Sequence, residues 1–249
     1  MSKGEPNPGL DRVHHELRGT GVRDGRLNRL RSGIHSRGYL PHVKREGAAY
    51  FVTFRLADSL PRQLLLQLER RHAERVRSLK PGNIEALHET NRERLRDIER
   101  ALDRGVGVCH LRRPDIAKLV AESLLHFHGV QYLLDDWVIM PNHVHLILWP
   151  MPNHTLSAIL ASRKRHIARQ ANLILGRTGT PFWQRESFDH WIRSDDEKAR
   201  IRRYIGNNPV KAGLCGTPTE WKWGSAWPGW QTKERAVGGN ASAPVPNSS

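Results

Sequence analysis

Met140-Pro141-Asn142-His143-Val144-His145-Leu146-Ile147-Leu148 decides how the rest of the chain is read. An apolar run around alternating histidines reads as a strand. Side chains alternate faces along a strand, so His143 and His145 point the same way while Val144 enters the opposite layer. Two imidazoles on one face can hold a divalent metal. Residues 131–139 read as a second strand, and Met140-Pro141-Asn142 as the short turn of a hairpin between the two. The chain contains a similar triplet, His126-Phe127-His128, at the end of a helical stripe. Residues two apart on a helix point about 200° apart, so those imidazoles diverge.

Working outward, Tyr50-Phe51-Val52-Thr53-Phe54-Arg55-Leu56 is a β-branched and aromatic strand. Leu64, Leu68, Val76 and Leu79 recur at helical spacing after Pro61. Ile84, Leu87, Asn91, Leu95, Ile98 and Leu102 step by three and four. Together they predict a helical hairpin broken at Pro81-Gly82. Pro114 opens a helix that buries Ile116, Leu119, Val120, Leu124 and Phe127. Leu156, Ile159, Leu160, Ile167 and Leu175 mark another, and a strand runs through Trp191 and Ile192. Ser194 followed by Asp195, Asp196 and Glu197 reads as a capping box with acids at the positive end of the helix dipole. That last helix is expected to run to about Gly206 or Asn208, because Pro209 discourages helix at the residue before it. The class is α+β, one partly antiparallel sheet with helices packed on it. Residues 1–45 read as a flexible basic arm, 46–231 as one folded domain with a helical insertion at about 62–104, and 232–249 as a disordered tail.

The last helix carries the second half of the chemistry. Tyr204 and Asn208 are four apart and share a face. The asparagine carbonyl is a proper ligand for Mg²⁺ or Mn²⁺, which prefer oxygen donors and tolerate imidazole. Asn207 remains a rival ligand, since Pro209 disturbs helical geometry there. Arg202 and Arg203 flank the tyrosine, where a phosphate would need counter-charge. A metal-activated phosphodiester beside a nucleophilic hydroxyl makes a nucleic-acid strand-transfer site.

Composition agrees with such a partner. Across 249 residues the formal net charge is +15, and the pI is near 10.7. So lopsided a charge points to a polyanion, nucleic acid or an anionic membrane surface. Arg163, Lys164, Arg165 and Arg169 lie along one helix and, with Lys211 and the basic arm, read as phosphate contacts, which give affinity and salt dependence rather than sequence readout. No run approaches the roughly 18 apolar residues of a membrane span, and the N-terminus has no apolar signal core. Cys109 and Cys215 are too few for a disulfide framework or a cysteine zinc site. The expected location is the cytoplasm, nucleoid-associated when DNA is bound. Trp137, Trp183 and Trp191 are expected in the core; Trp221, Trp223, Trp227 and Trp230 either pack or stack on bases, with packing ahead.

Three blocks in order carry a resemblance: Trp137 through Leu146, then Phe182-Trp183-Gln184 through Arg193, then Tyr204-Ile205 with Asn208-Pro209-Val210-Lys211-Ala212-Gly213-Leu214. Together they resemble the tyrosine transposases of the HUH endonuclease superfamily, in the branch associated with repetitive extragenic palindromes (REP), over roughly residues 48–227. The resemblance implies a ferredoxin-like antiparallel sheet, the HUH endonuclease fold, and a metal-dependent single-stranded DNA endonuclease and strand transferase. It implies Tyr204 as nucleophile, His143, His145 and Asn208 as ligands of Mg²⁺ or Mn²⁺, and single-stranded or hairpin DNA as partner, bound by a monomer or a homodimer. The insertion at 62–104 is longer than compact members carry. A histidine-triad nucleotide hydrolase would need a third histidine at position 147, which is Ile. The remaining alternative is a domesticated, non-catalytic protein that binds DNA or RNA hairpins.

Overall fold

The order of elements along the chain already contains the fold's central unit. The structure is a computed structural model and describes residues 33–36, 41–44, 47–80, 83–185 and 187–230. Strands β1 (Gly33–Ser36) and β2 (Pro41–Lys44) form a separate antiparallel pair. The part of the chain read as a flexible arm therefore contains a hairpin, while the rest of that arm, the Pro81-Gly82 break and the tail lie outside the described residues. Next come β3 (Tyr50–Arg55), α1 (Arg62–Arg77), α2 (Ile84–Asp103), α3 (Pro114–Leu125), β4 (Tyr132–Ile139), β5 (His143–Pro150), α4 (Leu156–Ile174), β6 (Phe188–Trp191) and α5 (Asp195–Lys211).

The main sheet has the order β4-β5-β3-β6, and every neighbouring pair is antiparallel. Without α1, α2 and the trailing α5, the succession is βαββαβ with the first strand in the interior of the sheet. That is the ferredoxin-like arrangement expected, and α1–α2 is the helical insertion.

Strand alternation divides the sheet into two unlike faces. Val52, Phe54, Val144, Leu146 and Leu148 enter a large core with Ile116, Val120 and Leu124 of α3 and Ile159, Leu160 and Ile167 of α4. Phe51, Ile147 and Val138 turn the other way, onto Ile205 of α5 with Ile201 and Tyr204 beside it. Hydrophobic burial supplies the drive on both sides. Trp137 and Trp230 pack edge to face in the large core, and Trp223 and Trp227 lie against it. All four C-terminal tryptophans singled out thus pack: Trp221 lies against the smaller core on the α5 side and donates its indole N–H to the Ile139 carbonyl at 3.1 Å.

The insertion has its own small core of Leu60, Ala101 and Leu102, with Leu64, Leu65 and Ile98 against it. Arg75 of α1 bridges Glu93 (3.1 Å) and Asp97 (3.6 Å) of α2. Leu87, expected in the buried stripe of α2, is 39% exposed instead. Among its described side chains, Ile98, Ala101 and Leu102 make the apolar contacts of α2 with the insertion's small core.

Helix α5 departs from the expected stop. Pro209 lies inside it, and the helix continues to Lys211. The proline is buried and gives up one hydrogen bond; the amides of Ala212 and Leu214 still reach the carbonyls of Asn208 (3.1 Å) and Pro209 (2.9 Å). The helix ends where Gly213 takes φ +67°, the left-handed cap that glycine accepts at no steric cost. At its start the Ser194 hydroxyl accepts from the Glu197 amide at 3.1 Å. The reciprocal bond of a capping box is displaced by one residue: Glu197 accepts from the Arg193 amide at 2.8 Å and from His190 Nε2 at 2.9 Å.

Candidate active site

Three elements on the α5 face of the sheet bring the sequence-derived residues together. In β5 His143 and His145 do share a face, with ring centroids 4.6 Å apart, and they are 1% and 0% exposed. The pairing of β3 with β5 places Thr53 opposite His145 and Arg55 opposite His143. The continuation of α5 past Pro209 keeps Asn208 one turn from Tyr204 and 1% exposed, whereas Asn207 is exposed. Between the two rival ligands, the inward-facing one is Asn208.

Neighbouring hydrogen bonds decide which ring nitrogens are available. Asn142 Nδ2 donates to the carbonyls of Leu102 (3.2 Å) and Val106 (3.1 Å). Its amide orientation is thereby fixed, and its Oδ1 lies 2.7 Å from His143 Nδ1. An amide oxygen only accepts, so His143 carries its proton on Nδ1 and leaves a lone pair on Nε2. His145 Nδ1 pairs with the Thr53 hydroxyl at 2.8 Å, and its Nε2 lies 3.3 Å from the Tyr204 hydroxyl. Such partners on the far nitrogen are how proteins orient metal-binding imidazoles. Burial pushes His143 down to about 3. Burial and the neighbouring His143 push His145 well below the ordinary imidazole range. Both rings are neutral at physiological pH, as ligation requires.

Some of the atoms aimed into the site are orphans. His143 Nε2 and both amide atoms of Asn208 are buried without a hydrogen-bond partner. Buried polar atoms normally find one, and of these the lone pairs of His143 Nε2 and Asn208 Oδ1 are ones a divalent cation can take. Among the described residues no three His, Cys, Asp or Glu side chains form a metal cluster; the groups that could hold a cation here are His143, His145 and the Asn208 amide oxygen.

The phenol itself is held far from ionisation. Burial raises the Tyr204 pKa first, then the carboxylates of Glu99 and Asp103, with the nearby Asn208 amide acting against them. Lys211 Nζ lies 5.2 Å from the centre of the Tyr204 ring, and Phe51 meets that ring edge to face at 6.0 Å. Beside His143 a cavity of about 130 Å³ is lined by Asp103, Arg104 and Arg112 among others.

The other residues read as phosphate contacts fall elsewhere. Arg163 stacks over Phe127 at 4.2 Å. Lys164 donates to the carbonyls of Gln184 (2.8 Å) and Arg185 (3.1 Å) and to Ser187 Oγ (2.9 Å). They and the exposed Arg165 belong to α4, which covers the opposite face of the sheet from Tyr204. Arg202 pairs with Asp135 and Asp136 of β4, and Arg203 is exposed. Lys211 is the one of them with a contact to the Tyr204 ring among the described residues. Sequence reasoning missed Arg55, Glu99, Asp103 and Asn142. Asn142 stood inside the quoted motif and Arg55 at the end of a recognised strand; the two acids carried no signal among the many charges of α2.

No family model matches the chain. In sequence it is 31% identical, over 88 residues, to the REP-associated tyrosine transposase of Escherichia coli (strain K12). That alignment covers 35% of this chain and 50% of the relative, so the chain spans about half the length of the curated relative it matches. Among solved structures it is similar to a REP-associated tyrosine transposase bound to a REP hairpin, at 18% identity and a TM-score of 0.40, covering 87% of this chain and 92% of the other. The sequence similarity bears out the resemblance read from the three blocks. Among the described residues no helix is long and apolar enough to cross a membrane.

Proposed function

We propose that this chain is a transposase-like protein that binds hairpin DNA and cleaves and rejoins single strands beside it through Tyr204. The observation that carries the proposal is the meeting of the Tyr204 hydroxyl with His145 Nε2 at 3.3 Å, next to the unpartnered His143 Nε2 and Asn208 amide. In this reading Tyr204 Oη attacks the scissile phosphorus and gives up its proton. A phosphorus–oxygen bond to tyrosine forms, and the bond to the 3′ oxygen breaks, leaving a 5′-phosphotyrosine and a free 3′-hydroxyl. Attack by a 3′-hydroxyl reverses the step, so joining needs no nucleotide cofactor.

His143, His145 and Asn208 would hold Mg²⁺ or Mn²⁺, whose part is to polarise the phosphate and offset charge in the transition state. Their neutral imidazoles and the fixed His143 tautomer suit that task. Lys211, beside the tyrosine ring, supplies counter-charge to the bound phosphate. The chain's +15 net charge supports a nucleic-acid partner.

The test is covalent capture. Labelled single-stranded hairpin DNA from the flanks of the gene, incubated with Mn²⁺, should yield a labelled protein band on a denaturing gel. Tyr204→Phe should abolish the band while hairpin affinity stays within about threefold, and chelation should abolish it in the unaltered protein. Tight hairpin binding with no adduct across the flanking sequences would replace this reading with a non-catalytic hairpin-binding protein.

A further inference from the structure

We propose that Asn142 is a positioning residue of the cation site and couples that site to the helical insertion. One amide sets the tautomer of His143 and clamps the root of α1–α2, so cation binding and insertion docking strengthen each other. The inference deepens the proposed function and rests on His143 being a cation ligand.

The first support is that every polar atom of the Asn142 side chain is used, and the residue is 0% exposed. Nδ2 donates to the Leu102 carbonyl at 3.2 Å, in the last turn of α2, and to the Val106 carbonyl at 3.1 Å, in the loop that follows. Oδ1 lies 2.7 Å from His143 Nδ1. A side-chain amide can give two protons on one side and accept one on the other, whereas an ionised aspartate can only accept. The two bonds to the insertion also prevent the amide from flipping, because a flip would set its oxygen against two carbonyl oxygens. The insertion therefore fixes the Asn142 amide, and the amide fixes His143.

The second support is that both ends of the insertion meet at this turn. Leu56, just before the insertion, donates its amide to the Asn142 carbonyl at 2.8 Å, and Leu111, after it, donates to the Pro141 carbonyl at 3.2 Å. Entry and exit are also tied to each other. The Val108 amide donates to Asp58 Oδ2 at 2.9 Å. Gly107, at φ +93°, passes so close that a Cβ there would lie 2.5 Å from the Asp58 carbonyl oxygen. The insertion's own core holds only Leu60, Ala101 and Leu102 as buried apolar residues among those described. Segments with little apolar burial open at low cost, so a polar clamp at the root weighs heavily in their docking.

The coupling follows from these bonds. A partner on the far nitrogen orients a metal-binding imidazole, and its loss typically costs 10- to 100-fold in affinity. Linkage is reciprocal: by whatever factor docking of the insertion raises cation affinity, the cation favours docking by the same factor.

The experiment uses the full chain with Mn²⁺ alone as the probe. Calorimetry gives affinity, and mass spectrometry follows amide exchange at residues 98–106 with and without saturating Mn²⁺. Imidazole ¹⁵N spectra of the metal-free chain give the tautomers, His143 being assigned among the 14 histidines by its loss in His143→Ala. His143 should carry its proton on Nδ1, and Mn²⁺ should slow exchange at 98–106 about fivefold or more. Asn142→Ala should weaken Mn²⁺ binding about 10- to 100-fold and leave exchange there fast and indifferent to Mn²⁺. Asn142→Asp keeps the acceptor for His143 and removes both donors. It should recover most of the affinity while exchange at 98–106 stays indifferent to Mn²⁺. Ile167→Val, in the large core on the other side of the sheet, should leave affinity and Mn²⁺ response unchanged, which separates the coupling from general loss of stability.

A His143 proton on Nε2, or Mn²⁺ affinity in Asn142→Ala within about threefold of the unaltered chain, overturns the positioning role. Exchange at 98–106 that ignores Mn²⁺ in the unaltered chain overturns the coupling, and this readout needs no variant to fold. Mn²⁺ affinity that His143→Ala leaves unchanged removes the ligand reading of the proposed function and the coupling with it, whatever the tautomer in the metal-free chain.

Discussion

Replacing Glu99 by glutamine should change how stability depends on pH, and the size of the change follows from the burial of that carboxyl. Burial raises its pKa from 4.5 to about 7, and Asp103 adds to the rise; the Tyr204 hydroxyl, Lys211 and Arg96 act against it. An acid whose pKa is raised on folding favours the native state in its neutral form. Its contribution is fully present below about pH 4.5, the unfolded value, and is lost as pH rises through about 7. At about 1.4 kcal/mol per pH unit, the gap between 4.5 and about 7 amounts to about 3 kcal/mol. The amide introduced by Glu99→Gln cannot ionise and makes no such contribution. The two proteins should therefore differ by a roughly constant amount below about pH 4.5, and the variant should gain about 3 kcal/mol on the unaltered chain between about pH 4.5 and 7.5. For a domain of this size that equals a relative melting shift of about 6–12 °C. Urea unfolding followed by tryptophan fluorescence at a series of pH values measures it, and titrating groups remote from Glu99 cancel in the difference. A stability gap that stays constant within about 0.5 kcal/mol over this range would refute the burial of an ionisable Glu99 against Tyr204.

Asn142→Ala should lower stability by about 2 kcal/mol, because it leaves two buried carbonyls and the His143 N–H without partners. Amide exchange over residues 98–106 should rise, and an unchanged exchange pattern there would contradict the clamp. His143→Ala and Asn208→Ala should each weaken Mn²⁺ binding by about tenfold or more, since loss of even a supporting partner costs that much; calorimetry showing unchanged affinity would remove them from the donor set. Lys211→Ala should reduce the slope of log affinity for hairpin DNA against log salt by about 1. Lys164→Ala should lower thermal stability and leave that slope alone, because its ammonium is bound to three oxygens of residues 184–187; the reverse outcome would return Lys164 to the DNA interface.

The hairpin with its two histidines was legible because the period of a strand is strict: the spacing of His143 and His145 alone determines that they share a face. The four-residue step from Tyr204 to Asn208 was legible for the same reason on a helix. What misled was Pro209. Its missing N–H is a local penalty, and the last turn of α5 and the left-handed Gly213 outweigh it. Helix spacing also could not tell which layer a helix joins, so it gave no sign that Arg163, Lys164 and Arg165 stand on the far side of the sheet from Tyr204. Glu99 and Asp103 were invisible for a related reason. On α2 they stand among Glu93, Arg94, Arg96, Asp97 and Arg100 and read as solvated charges until the clamp at Asn142 turns their face toward Tyr204.

The central claim is that Tyr204 becomes covalently joined to DNA, and peptide mapping of the adduct tests it most directly. The captured complex, digested with nuclease and trypsin, should give a single nucleotide-bearing peptide, Tyr204–Lys211, with the added mass on the tyrosine. The same mass on any other residue, or an adduct that persists in Tyr204→Phe, would contradict the account.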